Sequence, residues 1–155
     1  MRKTKKGKLF EAIRIALLTL AVWSLLPTFW HLQEMNYYRH KEYYITAVGT
    51  IDRIRYDEKN TRVILDFSEI LPEMFYPSFD IVGESFLLVQ SRGIEEKLKL
   101  GDQVEIVTAP GAFSYGYVRP IVAISINGES LLDFDEGYAN LIRWYRGLHD
   151  IWYTG

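Results

Sequence analysis

The chain contains no cysteine. That excludes disulfides, thiolate nucleophiles and Cys-ligated metal sites, and leaves any folded part to stand on its apolar core alone. Histidine is nearly as scarce. His31, His40 and His149 lie far apart and none belongs to an H-x-x-x-H or H-E-x-x-H arrangement, so no histidine-based metal centre is expected. A glycine-rich phosphate loop is also missing, because Gly101, Gly111 and Gly116 lack the spacing and the Lys-Ser/Thr ending. Gly83-Glu84-Ser85-Phe86-Leu87 begins like the turn that presents a nucleophilic serine, but the last glycine is absent and the serine is placed at the start of a strand. Asp133, Asp135 and Glu136 are close enough to hold a hard cation or act as an acid/base pair. Three carboxylates between a strand and a helix nevertheless serve first as a solvated turn and as helix N-terminal charge. No catalytic residue, metal ligand or cofactor-binding residue emerges, and the chain reads as non-enzymatic with no cofactor.

What the chain does have is one long apolar run. Leu9 to Leu32 is 24 residues with only Glu11 and Arg14 charged, and its uninterrupted part, Ile15 to Trp30, is 16 residues, short of the ~20 that a hydrocarbon core requires. Glu11 and Arg14 are three apart, so they can pair on one helical face. The leader 1–8 carries Arg2, Lys3, Lys5, Lys6 and Lys8, whereas the far flank has only Arg39 and Lys41, which orients the amino terminus to the cytoplasm. The exit Leu25-Leu26-Pro27-Thr28-Phe29-Trp30 offers no small-residue cleavage site. The expectation is a basic cytoplasmic leader (1–8), a transmembrane anchor (9–32) and a juxtamembrane linker (33–42). The protein would then be single-pass in the inner (cytoplasmic) membrane, with its C-terminal domain outside and Trp30, Tyr37 and Tyr38 at the membrane–water boundary.

Charge divides at the same place. Residues 1–42 hold 8 Lys/Arg and 3 Asp/Glu, a net of +5, whereas 43–155 hold 10 and 17, a net of −7. An acidic domain repels phosphate backbones, so nucleic acid is not an expected partner.

From Tyr43 onward the pattern is that of strands. Tyr43 to Tyr56 is β-branched and aromatic with Gly49 at a plausible bulge, Asp57-Glu58-Lys59-Asn60 is a turn, and Arg62 to Phe67 returns, so 43–67 predicts a hairpin. Residues 68–78, with Pro72 and Pro77, are expected as a loop, Phe79 to Val82 as a short strand, Glu84 to Gln90 as a clear strand and Ile94 to Leu100 as a helical turn or two. Gly101-Asp102 precedes the alternating strand Gln103 to Val107. Ile121 to Ile126 is strongly β, and Asn127-Gly128 is the pair a type I′ hairpin prefers. These signals predict a mainly β fold: a small antiparallel, OB-like β-barrel domain over 43–137. A C-terminal amphipathic helix comes next over 138–155, its face formed by Leu141, Trp144, Tyr145, Leu148 and Trp152. That helix could close over the barrel, lie at the headgroups through Trp144 and Trp152, or bind a partner.

The basic leader, the single anchor, Gly49-Thr50-Ile51, Leu98 to Ile106 and the hairpin Ile124 to Glu129 together resemble small membrane-anchored bacterial β-barrel proteins of unknown function. The resemblance implies no catalytic residue. Members often carry two flanking membrane helices, whereas the final segment here is short and charged.

Two aromatic segments are candidate partner-binding surfaces. In Gly111-Ala112-Phe113-Ser114-Tyr115-Gly116-Tyr117 an extended chain places Phe113, Tyr115 and Tyr117 on one face, and Phe75 and Tyr76 lie between Pro72 and Pro77. Either set can pack in a core or grip a partner. The function expected is a membrane-anchored binding or accessory module of a bacterial envelope or membrane complex, non-catalytic, contacting membrane lipid and another membrane or envelope protein. The alternative is an immunity or inhibitor protein that holds an acidic, aromatic surface against a toxin or hydrolase.

Overall fold

The computed structural model describes residues 5–57, 61–74, 78–110 and 118–154, with side chains outside 5–9, 27–28, 31 and 148–154. Its strands are β1 (Ile45–Tyr56), β2 (Arg62–Leu71), β3 (Ser78–Val82), β4 (Gln103–Thr108), β5 (Val118–Ile126) and β6 (Glu129–Leu132). The helices are α1 (Lys5–Tyr38), α2 (Gly83–Ser91), α3 (Ile94–Lys97) and α4 (Phe134–Thr154), with a 3-10 turn at Lys41–Tyr43.

The predicted β1–β2 hairpin forms, with Tyr56 opposite Val63 and Val48 opposite Leu71. Its strands stay paired over such a length because β1 shifts register between Thr50 and Arg53, and bulges of this kind bend and coil a strand. At the bend β1 leaves β4: Ile51 N–H donates to the Asp102 carbonyl at 3.0 Å and Gly101 N–H to the Ile51 carbonyl at 2.8 Å. The first half of β1 pairs with β4 from Ile45–Thr108 to Thr50–Gln103. Strands β2 and β3 are antiparallel, as are β4 and β5, and β5 and β6. The hairpin between β5 and β6 turns at Asn127 (φ 51°) and Gly128 (φ 81°), the two positive φ values that its Asn-Gly pair predicts. One parallel pairing, β3 with β5 through Ser78–Val118 and Phe79–Arg119, returns the sheet on itself. Pairing therefore runs β1–β2–β3–β5–β4–β1 in a closed circuit, with β6 appended. The sheet is barrel-like, and closure removes the open edges that strands otherwise expose.

Inside the circuit lie Ala47, Ile51, Val63, Leu65, Phe67, Phe79, Ile81, Val104, Ile106 and Ile124, joined by Phe86 and Val89 from α2. The predicted strand at Glu84 to Gln90 is therefore corrected. These residues form a helix that buries Ser85, Phe86 and Val89 while Leu87 is 60 % exposed. Four consecutive apolar residues suit a buried strand and a short helix equally. Gly83, at φ 57°, breaks β3 and starts the helix. The predicted loop from residue 68 begins later, because β2 runs on to Leu71.

A second, smaller cluster lies outside the barrel, where Tyr38, Ala109, Val122 and Leu141 are buried with Tyr44, Val107, Phe134 and Tyr145 packed around them. It joins the end of α1 and the first half of α4 to β5. The approach is closest at Gly137, where a Cβ would stand 2.0 Å from the Val122 carbonyl oxygen.

Two expectations are overturned. The fold is mixed α/β rather than mainly β, since α1 and α4 span 34 and 21 residues while the longest described strand has 12. The helices also form part of the packed structure. The transmembrane anchor at 9–32 is not supported either: among the described residues no helix is long and apolar enough to cross a membrane. The physical reason lies in the flanks. Arg14 closes the apolar stretch at one end, and beyond Trp30 the same helix continues without a break through His31, Gln33, Glu34 and Asn36 into a last turn packed on α4. The inner-membrane, single-pass placement with the C-terminal domain outside rested on that anchor and falls with it. Large apolar side chains from Phe10 to Leu32 are nonetheless exposed along α1.

Candidate functional site

Strand alternation in β1 turns Ala47, Gly49 and Ile51 inward and Thr46 and Val48 outward. On the outer side, where β1 meets the end of β2 and the start of β4, a cleft of about 560 Å³ opens. Its lining is Val48, Gly49, Thr50, Ser68 to Leu71, Glu73, Met74 and Gln103. On the inner side of the same strand, Gly49 lets β1 lie close to β2, since a Cβ there would meet the core Phe67 ring at 2.5 Å and the Glu69 carbonyl oxygen at 2.9 Å. Only glycine lets β1 and β2 approach so closely beside the bulge. Leu71 is 73 % exposed and forms an apolar patch with Val48 and half-buried Met74. Around this patch stand Glu69 and Glu73, with Thr50 and Gln103 able to donate and accept. Among the described residues neither carboxylate has a cationic partner within salt-bridge distance. The surface can thus take an apolar side chain flanked by positive charge. It holds no grouping of three metal-ligating residues among the described residues.

The acidic group at the start of α4 is not assembled as a site. Asp133 accepts from the Ser130 hydroxyl at 2.6 Å, Asp135 pairs with Lys41 at 3.1 Å, and Glu136 takes both Arg92 terminal nitrogens at 3.1 and 3.2 Å. Each carboxylate faces a different element, so the three fasten α4 to its surroundings. Asp135 and Glu136 also stand in the first turn of α4, where negative charge complements the helix N-terminus. Ser85 lies in the first turn of α2, not at the start of a strand, and is buried. His40, the one histidine whose side chain is described, meets Glu42 at 2.9 Å.

A buried polar junction at the second cluster has no counterpart among the sequence expectations. Glu34, near the end of α1, hydrogen-bonds the hydroxyls of Tyr145 and Tyr38. The Tyr38 and Tyr145 rings pack 5.2 Å apart. Asp80 of β3 has its side chain 14 % exposed and Arg62 of β2 at 3.9 Å, and its charge acts on Tyr38 and Tyr145. Burial pushes the Asp80 carboxyl up to about 7; Arg62 opposes the shift and the Glu34 charge adds to it. Burial also raises Glu34, against the pull of the two tyrosine hydroxyls. Tyr38 and Tyr145 are held well above the ordinary phenol range, first by burial, with the Glu34 and Asp80 charges adding to both; Tyr38 also raises Tyr145, whereas the Tyr145 hydroxyl opposes the shift of Tyr38. On the adjacent face Asp66 has the opposite fate. Its burial is outweighed by hydrogen bonds from Arg55 and Ser78, and its carboxyl is lowered.

Of the residues singled out from sequence, Phe75, Tyr76, Phe113, Tyr115 and Tyr117 lie outside the described residues, as does the Trp152 side chain. Trp30 is half exposed on α1. Tyr37 packs tilted against Tyr43 with ring centroids 4.8 Å apart, and Tyr38 is 1 % exposed. Trp144 lays its ring on Gly83, where an added Cβ would come within 2.6 Å of it. The last two rings are thus seated against protein. For the cleft, period-two alternation along β1 and β2 is the available signal, since it places Val48 with Thr50, and Glu69 with Leu71, on outer faces. For the junction there is none, because Glu34, Asp80 and Tyr145 belong to segments far apart in the chain. No family model, curated protein or solved structure matches the chain.

Proposed function

We propose that this protein is a non-catalytic binding module, an accessory component of a protein complex, built on an OB-like barrel. It captures a polypeptide segment that presents an aliphatic side chain beside lysine or arginine. The observation that carries the proposal is the cleft over β1, β2 and β4, with an apolar floor at Val48, Leu71 and Met74 and carboxylates at Glu69 and Glu73. A net charge of −7 over residues 43–155 steers a cationic partner toward the domain. The OB-like description rests on the closed circuit of strands and on α2 standing between β3 and β4. In barrels of this kind, binding uses an outer strand face and the neighbouring loops. Here Phe75 and Tyr76 come directly after Met74 in sequence.

The test uses a fluorescent peptide of alternating lysine and leucine, titrated by anisotropy at low and physiological salt. The intact protein is expected to bind it, and the double substitution Glu69→Lys with Glu73→Lys to weaken binding by tenfold or more. Leu71→Ser should weaken binding at both salt concentrations, because its contribution is not electrostatic. Equal binding by the parent and the double variant would overturn the assignment of the cleft.

A further inference from the structure

We propose that the cleft over β1, β2 and β4 is a seat for the start of α1 from a second copy of this chain, so that two copies exchange their basic ends reciprocally; this rests on the reading of the cleft given above. Strand register shows how the seat is built. On the outer face Val48 of β1 stands between Leu71 of β2 and Glu105 of β4, and Thr50 stands between Glu69 and Gln103. Val48 and Leu71 are both exposed, and Glu73 lines the same cleft. An apolar row is thus flanked by three carboxylates, none of which has a cationic partner within salt-bridge distance among the described residues.

The complementary surface is on the same chain. Residues 1–8 hold five Lys/Arg and no Asp/Glu, and Lys5-Lys6-Gly7-Lys8-Leu9-Phe10 sets two large apolar residues directly behind three lysines. From Lys5 this segment is helical, and helical spacing puts Lys6, Phe10 and Arg14 on one face. Phe10 is 75 % exposed, and large apolar side chains remain exposed from there to Leu32, whereas Tyr38 is buried, so α1 meets its own domain at its last turns. A helix of 34 residues is ~51 Å long at 1.5 Å rise per residue. That exceeds the ~35 Å width of a domain of this size, and the helix holds its basic end off its own barrel. A second copy supplies the partner that the chain's own end does not reach. Opposite charge favours an antiparallel arrangement, in which the +5 of residues 1–42 of one copy meets the −7 of residues 43–155 of the other. Two-fold exchange fills both seats at once and closes the assembly. It also brings the two α1 helices side by side, where each covers part of the other's apolar surface.

The test is the oligomeric state of the full chain, measured by sedimentation velocity at low and high salt. A dimer is expected at low salt, with association weaker by about tenfold or more at high salt, because the charges at the seat are exposed. Reversing the leader (Lys5→Glu, Lys6→Glu and Lys8→Glu) or the cleft (Glu69→Lys with Glu73→Lys) should each leave a monomer, with circular dichroism establishing that both variants are folded. An equimolar mixture of the two should restore the dimer, because each copy then offers the charge that the other's seat requires. A monomeric parent would overturn the exchange. So would a dimer that persists in both reversed variants, which would place association on the apolar helix alone, or a mixture that stays monomeric. The lysine–leucine peptide separates this inference from the reading beneath it. With exchange, the leader-reversed variant binds the peptide about tenfold more tightly than the parent, since no second copy competes for the seat. Peptide bound by a parent that stays monomeric would end the exchange and leave the cleft's assignment standing, whereas a parent that neither binds peptide nor dimerises would end both.

Discussion

Among the described glycines, the closest backbone approach falls on one in a helix. Gly137 is buried in the first turns of α4 and its Cα faces the backbone of β5, so a methyl group would stand 2.0 Å from the Val122 carbonyl oxygen. Backbone cannot rotate aside as a flexible side chain can, so α4 must move away from β5, opening the cluster of Tyr38, Val122 and Leu141. Gly137→Ala gains helix propensity of about 1 kcal/mol, but overpacking against a rigid strand costs roughly 3 kcal/mol or more. A net fall in melting temperature on the order of 10 °C is expected by calorimetry or circular dichroism. No change, or a rise, would show that α4 is not held against β5 this closely. Nothing in the sequence signals this contact, since a glycine inside a helical pattern reads as a weakness unless the opposing strand is known. Asn127 and Gly128 are the contrasting case. Their positive φ values are legible because the conformation is set by the dipeptide itself.

At the scale of the element, α2 separates two patterns that the sequence could not. In a strand, residues 87 and 89 share a face; in the helix observed, Val89 is fully buried and Leu87 is 60 % exposed. Val89→Ser should cost about 2 kcal/mol through lost burial and an unfilled space, whereas Leu87→Ser should stay within about 0.5 kcal/mol. Paired urea denaturations measure both, and equal losses would restore the strand. The other elements are more legible. The β1–β2 hairpin, β4, β5 and α4 stand near the places their sequences predict, because turn residues and alternation define them locally. For α1 the sequence shows a long apolar helix, but its role turns on the residues beyond Trp30. The run continues into Tyr38, which is buried against Tyr145 and Leu141 of α4 and Val122 of β5, and this end belongs to the domain.

For the molecule as a whole, two carboxylates pull stability in opposite directions. Asp66, lowered in the folded chain, stabilises it above the ordinary carboxyl range and loses that contribution as pH falls. Asp80, raised from 3.8 to about 7, contributes fully below 3.8 and loses its contribution as pH rises toward 7. The melting temperature should therefore peak near pH 4 to 5 and decline toward pH 7 by the equivalent of on the order of 3 kcal/mol. Asp80→Asn should flatten the decline without shifting the acid limb. A melting temperature that rises steadily from pH 5 to pH 7 would contradict the burial of Asp80. By itself the sequence determined the turns, most strands, the terminal helix and the acidic character of the domain, because these depend on neighbours a few residues apart. Only the tertiary structure decided the parallel β3–β5 closure, the helix at Gly83–Ser91, the cleft beside Gly49 and the meeting of Glu34, Tyr38 and Tyr145. Each of these joins residues from distant segments, and such pairings are chosen by packing and desolvation of the whole chain rather than by any local preference.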